Sequence, residues 1–168
     1  MSDLTSASVP PFGPDDHVTG EGAEAILYLD LACPHCAAAW QRIRALRLRL
    51  CVRHFPVASK HPRAPALHAA AEAASRQRPE AFFELCDSIY ADHGHQDDPH
   101  LWERAHRLKL DLDRFEGDRR SDAVVARVRR DFEDGIRAGI TGTPAAFVNG
   151  GLISTGVPEA LAATSAEE

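Results

Sequence analysis

A chain of 168 residues suits one domain with room for its own hydrophobic core. An apolar fraction of 44% and a charged fraction of 26% are those of an ordinary globular protein, neither disordered nor fibrous. The net charge of −6 excludes the strongly basic face that nucleic-acid binding calls for, so no nucleic-acid partner is expected.

Residues 1–14, with Pro10, Pro11, Gly13 and Pro14, read as a flexible lead-in. Met1–Gly20 carries Asp3, Asp15 and Asp16 with no basic start and no apolar run, which is not the pattern of a signal peptide. The most apolar early stretch, Ala25–Ala32, contains Asp30 and is too short to cross a bilayer. The expectation is a cytoplasmic protein with no membrane segment.

Ala25–Leu31 reads as a strand buried on both faces. A helix follows, with Cys33 where an N-cap belongs and Pro34 at the first helical position, where a missing N–H costs nothing. Trp40, Ile43 and Leu46 continue it, with Trp40 expected to pack behind it. Leu48–Phe55 alternates and reads as a second strand, stopped before Pro56. The middle is helical: Pro65–Arg76, Pro79–Ala91, His100–Leu108 begun by Asp98 as cap and Pro99 as first residue, a short Leu112–Arg119, and Ser121–Ala138. In the last of these Val124, Val125, Val128, Phe132 and Ile136 form one stripe, and Gly139 closes it. Two strands, Ala145–Asn149 and Leu152–Ser154, flank a Gly150-Gly151 turn, and Pro158–Ala163 makes a short last helix.

Strand–helix–strand at the start and two antiparallel strands at the end outline an α/β mixed sheet flanked by helices. The expected organisation is a sheet domain from residues 15–60 and 140–168, with an all-helical subdomain of residues 61–139 inserted in it.

Cys33 and Cys36, three apart on the first turn of a helix, lie on one face within disulfide reach. Unpaired N–H groups at the helix start favour thiolate over thiol, and such cysteines titrate at roughly 3.5–7.5 rather than about 8.5. Cys33 is the more exposed candidate nucleophile and Cys36 the resolving thiol, with Pro34 and His35 tuning the pair. The rival chemistry is zinc, because Cys33-x2-Cys36 and Cys51-x2-His54 stand 14 residues apart. Against it, Cys51 and His54 fall on a predicted strand, where residues three apart point to opposite faces. Cys51 and Cys86 read as buried free thiols, although a bond between them is not excluded. His93-x-His95 with His100 reads as a polar loop before a metal site. His17, His61, His68 and His106 read as surface or helix-face residues, and His54 as a structural residue at a strand end.

Cys33-Pro34-His35-Cys36 resembles the active-site tetrapeptide of the DsbA-type disulfide oxidoreductases. Asp16-His17-Val18-Thr19-Gly20, Leu29-Asp30-Leu31-Ala32-Cys33-Pro34, Arg53-His54-Phe55-Pro56 and Gly142-Thr143-Pro144-Ala145-Ala146-Phe147-Val148-Asn149-Gly150 are similar, in order, to segments of the bacterial DsbA-like group that lacks a long N-terminal strand region. The resemblance covers about residues 15–158. It implies a thioredoxin-like fold with a helical insertion, a cis Thr143–Pro144 peptide facing Cys33, and binding of an extended substrate segment along Thr143 and Pro144. Three departures stand out. Ala145 and Ala146 replace bulkier residues before Phe147. Leu27 occupies the place of a buried acid six residues before the first cysteine. Ala37–Leu48 is shorter than usual, which implies a short helix or a tight link.

The sequence thus reads as a protein thiol–disulfide oxidoreductase with catalytic Cys33 and Cys36, its direction open, needing no cofactor and no metal. Its partners would be protein thiols or disulfides and a redox partner. The alternative is a non-catalytic thioredoxin-fold module that binds a partner or senses redox state.

Overall fold

A computed structural model describes residues 7–167. Among them lie five strands and seven helices. The strands are β1 (His17–Thr19), β2 (Ala23–Leu29), β3 (Leu48–His54), β4 (Ala145–Val148) and β5 (Gly151–Ile153). The helices are α1 (Pro34–Arg44), α2 (Ala64–Gln77), α3 (Ala81–Ala91), α4 (Asp98–Arg107), α5 (Leu112–Arg119), α6 (Asp122–Arg137) and α7 (Val157–Ala166). They build a thioredoxin-like mixed sheet of order β1-β3-β2-β4-β5. Only β2 and β3 run parallel, joined through α1, and residues 45–47 alone link α1 to β3.

Alternation along the strands divides the interior in two. Ala25, Leu27 and Leu29 of β2 and Leu48, Leu50 and Val52 of β3 face α1, α2, α3 and α7, where Trp40, Ile43, Leu67, Phe82 and Leu161 fill the main core. Ile26, Tyr28, Cys51, Phe55 and Phe147 face the other way, against Phe132 of α6. Helices α2–α6 fall between β3 and β4 in the chain, with α2 packed against α3, α5 and α6.

Some expectations change. The sequence pointed to no strand at β1, yet His17–Thr19 pairs antiparallel with Leu50–Val52 of β3. Gly20 then turns the chain at φ 77°, and a Cβ there would collide with the Leu48 carbonyl. The cap of α4 is Asp97, whose carboxylate accepts from the His100 N–H, so Asp98 is the first helical residue and Pro99 the second, not cap and first residue. Of the expected lead-in, residues 1–6 lie outside the described residues. Further along, the Pro10 and Pro11 carbonyls accept from the Arg53 guanidinium, and Val9 and Phe12 pack on the second core.

Candidate active site

Cys33 caps α1 in extended conformation with Pro34 at the first turn, and the Ala37 N–H donates to its carbonyl. Its thiol reaches across to the Thr143 carbonyl oxygen at 3.9 Å. The Thr143–Pro144 peptide bond is cis. His35, Arg42, Thr143, Pro144, Pro158 and Glu159 line an open groove of about 410 Å³ beside the thiols. The six residues singled out from the sequence are therefore brought together, although 110 positions separate Cys33 from Thr143.

The two thiols differ sharply. Cys33 is 5% exposed and Cys36 fully buried. A hydrogen bond from the Cys36 thiol, helped by the Cys36 and His35 N–H groups and the Thr143 side chain, outweighs burial and brings the Cys33 thiol down to about 5. Cys36 moves the opposite way: burial, and then the negative charge of Cys33 beside it, push it well above the ordinary thiol range. At neutral pH this favours one nucleophilic thiolate with a protonated thiol behind it.

The loop that delivers Cys33 is held from all sides. The Asp30 carboxylate accepts from the Ala32 and Val57 N–H groups at 2.9 Å each, and its carbonyl accepts from Cys33 N–H and the Tyr90 hydroxyl. Burial alone would raise the Asp30 pKa; the Ala32 and Val57 N–H groups that donate to its carboxylate pull it down instead. Leu31 N–H donates to His68 Nε2 at 2.9 Å, and the His93 ring bonds the Ala32 carbonyl at 3.1 Å. Sequence reasoning missed these supports. His68, taken for a helix-face residue, is buried, because α2 is embedded along Leu67–Ala74. Asp30 lies beyond the end of β2, where strand alternation no longer says which way a side chain points.

Other expectations can be placed. Cys51 and Cys86 are free and buried, and burial pushes Cys51 up to about 12. Cys51 packs on the sheet face opposite that of Cys33, Cys36 and Cys86. The four ligands of the zinc arithmetic therefore do not converge. His95 and His100 stack on each other, and each ring bonds its own acid, Asp92 or Asp97. Trp40 is buried behind α1 with its indole N–H on Asp87 of α3.

Among the described residues no helix is long and apolar enough to cross a membrane. In sequence the chain is 36% identical over 159 residues to a Na⁺/H⁺ antiporter NhaA of Herminiimonas arsenicoxydans, covering 89% of this chain and 25% of that protein. It is 37% identical over 149 residues to an NhaA 1 of Salinispora arenicola, covering 83% of this chain and 22% of that protein. The chain thus spans about a quarter of the length of the curated relatives it matches. In structure it resembles the thiol-disulfide exchange protein α-DsbA2 of Wolbachia pipientis, with a TM-score of 0.81 at 18% identity over 92% of this chain and 87% of that one. It also resembles a thioredoxin-like oxidoreductase of Silicibacter pomeroyi, with a TM-score of 0.75 at 18% identity over 93% and 95% of the two chains. The catalytic domain of Proteus mirabilis ScsC gives 0.72 at 13% identity over 93% and 92%. A family model described as thioredoxin matches residues 14–164, and the chain belongs to that thioredoxin family, with the fold of its DsbA-like members.

Proposed function

We propose that this protein exchanges disulfides with protein substrates through Cys33 and Cys36. The observation that carries the reading is the split between the two thiols, one drawn down to about 5 at a helix start and the other buried and pushed up behind it. In the reducing direction the Cys33 thiolate attacks a substrate disulfide. A mixed disulfide forms and one substrate thiolate leaves. Cys36, giving up its proton, then attacks the Cys33 sulfur, and the second substrate thiolate departs with the electron pair. In the oxidising direction a substrate thiolate attacks the Cys33 sulfur of the Cys33–Cys36 disulfide and Cys36 leaves; a second substrate thiolate then attacks the substrate sulfur of the mixed disulfide, and Cys33 leaves as the thiolate, which restores the dithiol. A Cys33 thiolate this acidic is a good leaving group, which favours an oxidising couple.

An extended substrate segment would lie along Thr143 and Pro144 in the adjoining groove, whose rim carries the exposed Arg42–Glu159 ion pair at 2.9 Å. No antiporter activity is proposed, since the match covers about a quarter of those proteins.

The test pairs two variants. Cys33→Ser should abolish both insulin-disulfide reduction and dithiol oxidation. Cys36→Ser should accumulate mixed disulfides on Cys33, visible by intact mass. Full activity in Cys33→Ser sinks the proposal.

A further inference from the structure

Behind the loop that delivers Cys33 runs a buried chain of four side chains from three elements. Glu72 Oε2 accepts from His17 Nε2 at 2.7 Å and from His54 Nε2 at 2.9 Å. His54 Nδ1 lies 2.8 Å from His68 Nδ1, and His68 Nε2 lies 2.9 Å from the Leu31 amide nitrogen. The Leu31 end fixes the ring protons of His68 and His54. The Leu31 amide can only donate, so His68 Nε2 accepts and its proton sits on Nδ1. That proton points at His54 Nδ1, which must then be bare. The His54 proton is left on Nε2, aimed at the Glu72 carboxylate.

His17, His54 and Glu72 also bring three ligand atoms within 4.8 Å of one another, the spacing of a metal site. The tautomer argues against that use, because His54 offers the cluster a proton and not a lone pair. The Arg127 guanidinium, 3.9 Å from Glu72 Oε1, adds positive charge there. Other charged groups close in: Asp131 accepts the His54 amide and pairs with Arg127, and Asp30 Oδ1 lies 3.7 Å from His68 Nε2. Phe82 stacks on the His17 ring at 3.8 Å. Burial brings the His68 ring down to about 4, which keeps it neutral and able to accept over the neutral range.

We propose that His68, aligned through His54 and Glu72, is a positioning residue for the Cys33 nucleophile. It holds the Leu31 amide, and so fixes how the chain enters α1, where the His35 and Cys36 N–H groups meet the Cys33 sulfur. This rests on the thiol-exchange reading of the preceding section.

The experiment measures alkylation of Cys33 against pH, with the glutathione redox midpoint, in the reduced full chain. Thermal unfolding of the same samples reports the fold. His68→Leu removes the acceptor; His68→Gln supplies an amide oxygen in its place. The expected result is an alkylation midpoint raised by about one pH unit in His68→Leu, a tenfold loss of thiolate below it, and near-parental behaviour in His68→Gln. Glu72→Gln, which keeps volume but removes the anchoring charge, should shift the midpoint the same way by less, and it decides the matter if His68→Leu does not fold. A parental midpoint in folded His68→Leu, or in Glu72→Gln where His68→Leu does not fold, overturns the proposal; so do equal shifts in His68→Leu and His68→Gln. Stoichiometric Zn²⁺ uptake lost in His17→Ala overturns it in favour of a metal trio. An unaltered chain with no thiol exchange fails the proposed function, whereas an active one unmoved by His68→Leu fails only this inference.

Discussion

The Cys33 sulfur and the Thr143 carbonyl oxygen lie 3.9 Å apart, joining the first turn of α1 to the segment that opens β4. The contact follows from sheet order. β2 carries Cys33 just beyond its C-terminal end, and β4 pairs antiparallel with β2 through Tyr28 and Ala145, so the start of β4 meets the end of β2. A thiol, a helix start and an extended backbone thus share one end of the central strands.

The acidity of Cys33 has a consequence for stability. Between about 5 and the ordinary thiol value of 9.0, the folded reduced protein holds a thiolate where the unfolded chain holds a thiol. The unfolded state then binds more protons, so this contribution is fully present above 9.0 and is lost as pH falls through about 5. Denaturant unfolding of reduced and oxidised protein should show the reduced form gaining on the oxidised form from pH 5 to pH 8. A gap that does not change with pH contradicts the Cys33 assignment.

His68 titrates with the opposite chemistry and the same sign. It is neutral when folded down to about 4, whereas the unfolded ring takes a proton near 6.5. The unfolded state binds more protons in that window, so stability falls as pH drops from 6.5 to 4, by roughly 3 kcal/mol in all. His68→Gln should flatten that part of the stability–pH curve. The same slope in parent and variant would exclude His68 as its source.

Arg53 is a second buried anchor. Its guanidinium grips Asp16 at 3.0 and 2.8 Å, and it also bonds the Pro10 and Pro11 carbonyls. Arg53→Met leaves Asp16 buried without its partner and should cost about 3–5 kcal/mol in denaturant unfolding. Arg53→Lys should recover little, since a point charge cannot reproduce the two-pronged geometry.

Gly135 brings α6 close against the Phe55 and Tyr28 rings. A Cβ there would lie 2.9 Å from the Phe55 ring and 3.0 Å from Tyr28. Gly135→Ala gains helix propensity, yet should destabilise by about 1–3 kcal/mol through overpacking. Thermal unfolding decides the sign.

Much of this architecture was legible where local chemistry is strong. Cys33 before Pro34 announces a helix start, and the Val124–Ile136 stripe announces α6, although Val125 and Ile136 of that stripe stay exposed. What escaped reading is tertiary. β1 is three residues long, too short for a period, and only its pairing with β3 defines it. Two adjacent acids precede Pro99, and only the Asp97 contact with the His100 N–H shows which one caps. The alanine run of α2 has no amphipathic contrast, so nothing local showed that His68 and Glu72 point inward. Their hydrogen bonds reach residues 17, 31 and 54, from other parts of the chain.

The central claim is that Cys33 and Cys36 form a working redox pair, and a glutathione redox titration read by thiol alkylation and intact mass tests it most directly. The account predicts one reversible two-electron step confined to Cys33 and Cys36, with Cys51 and Cys86 unchanged throughout and a midpoint on the oxidising side. A chain that takes up no disulfide between Cys33 and Cys36 at any glutathione ratio would contradict it.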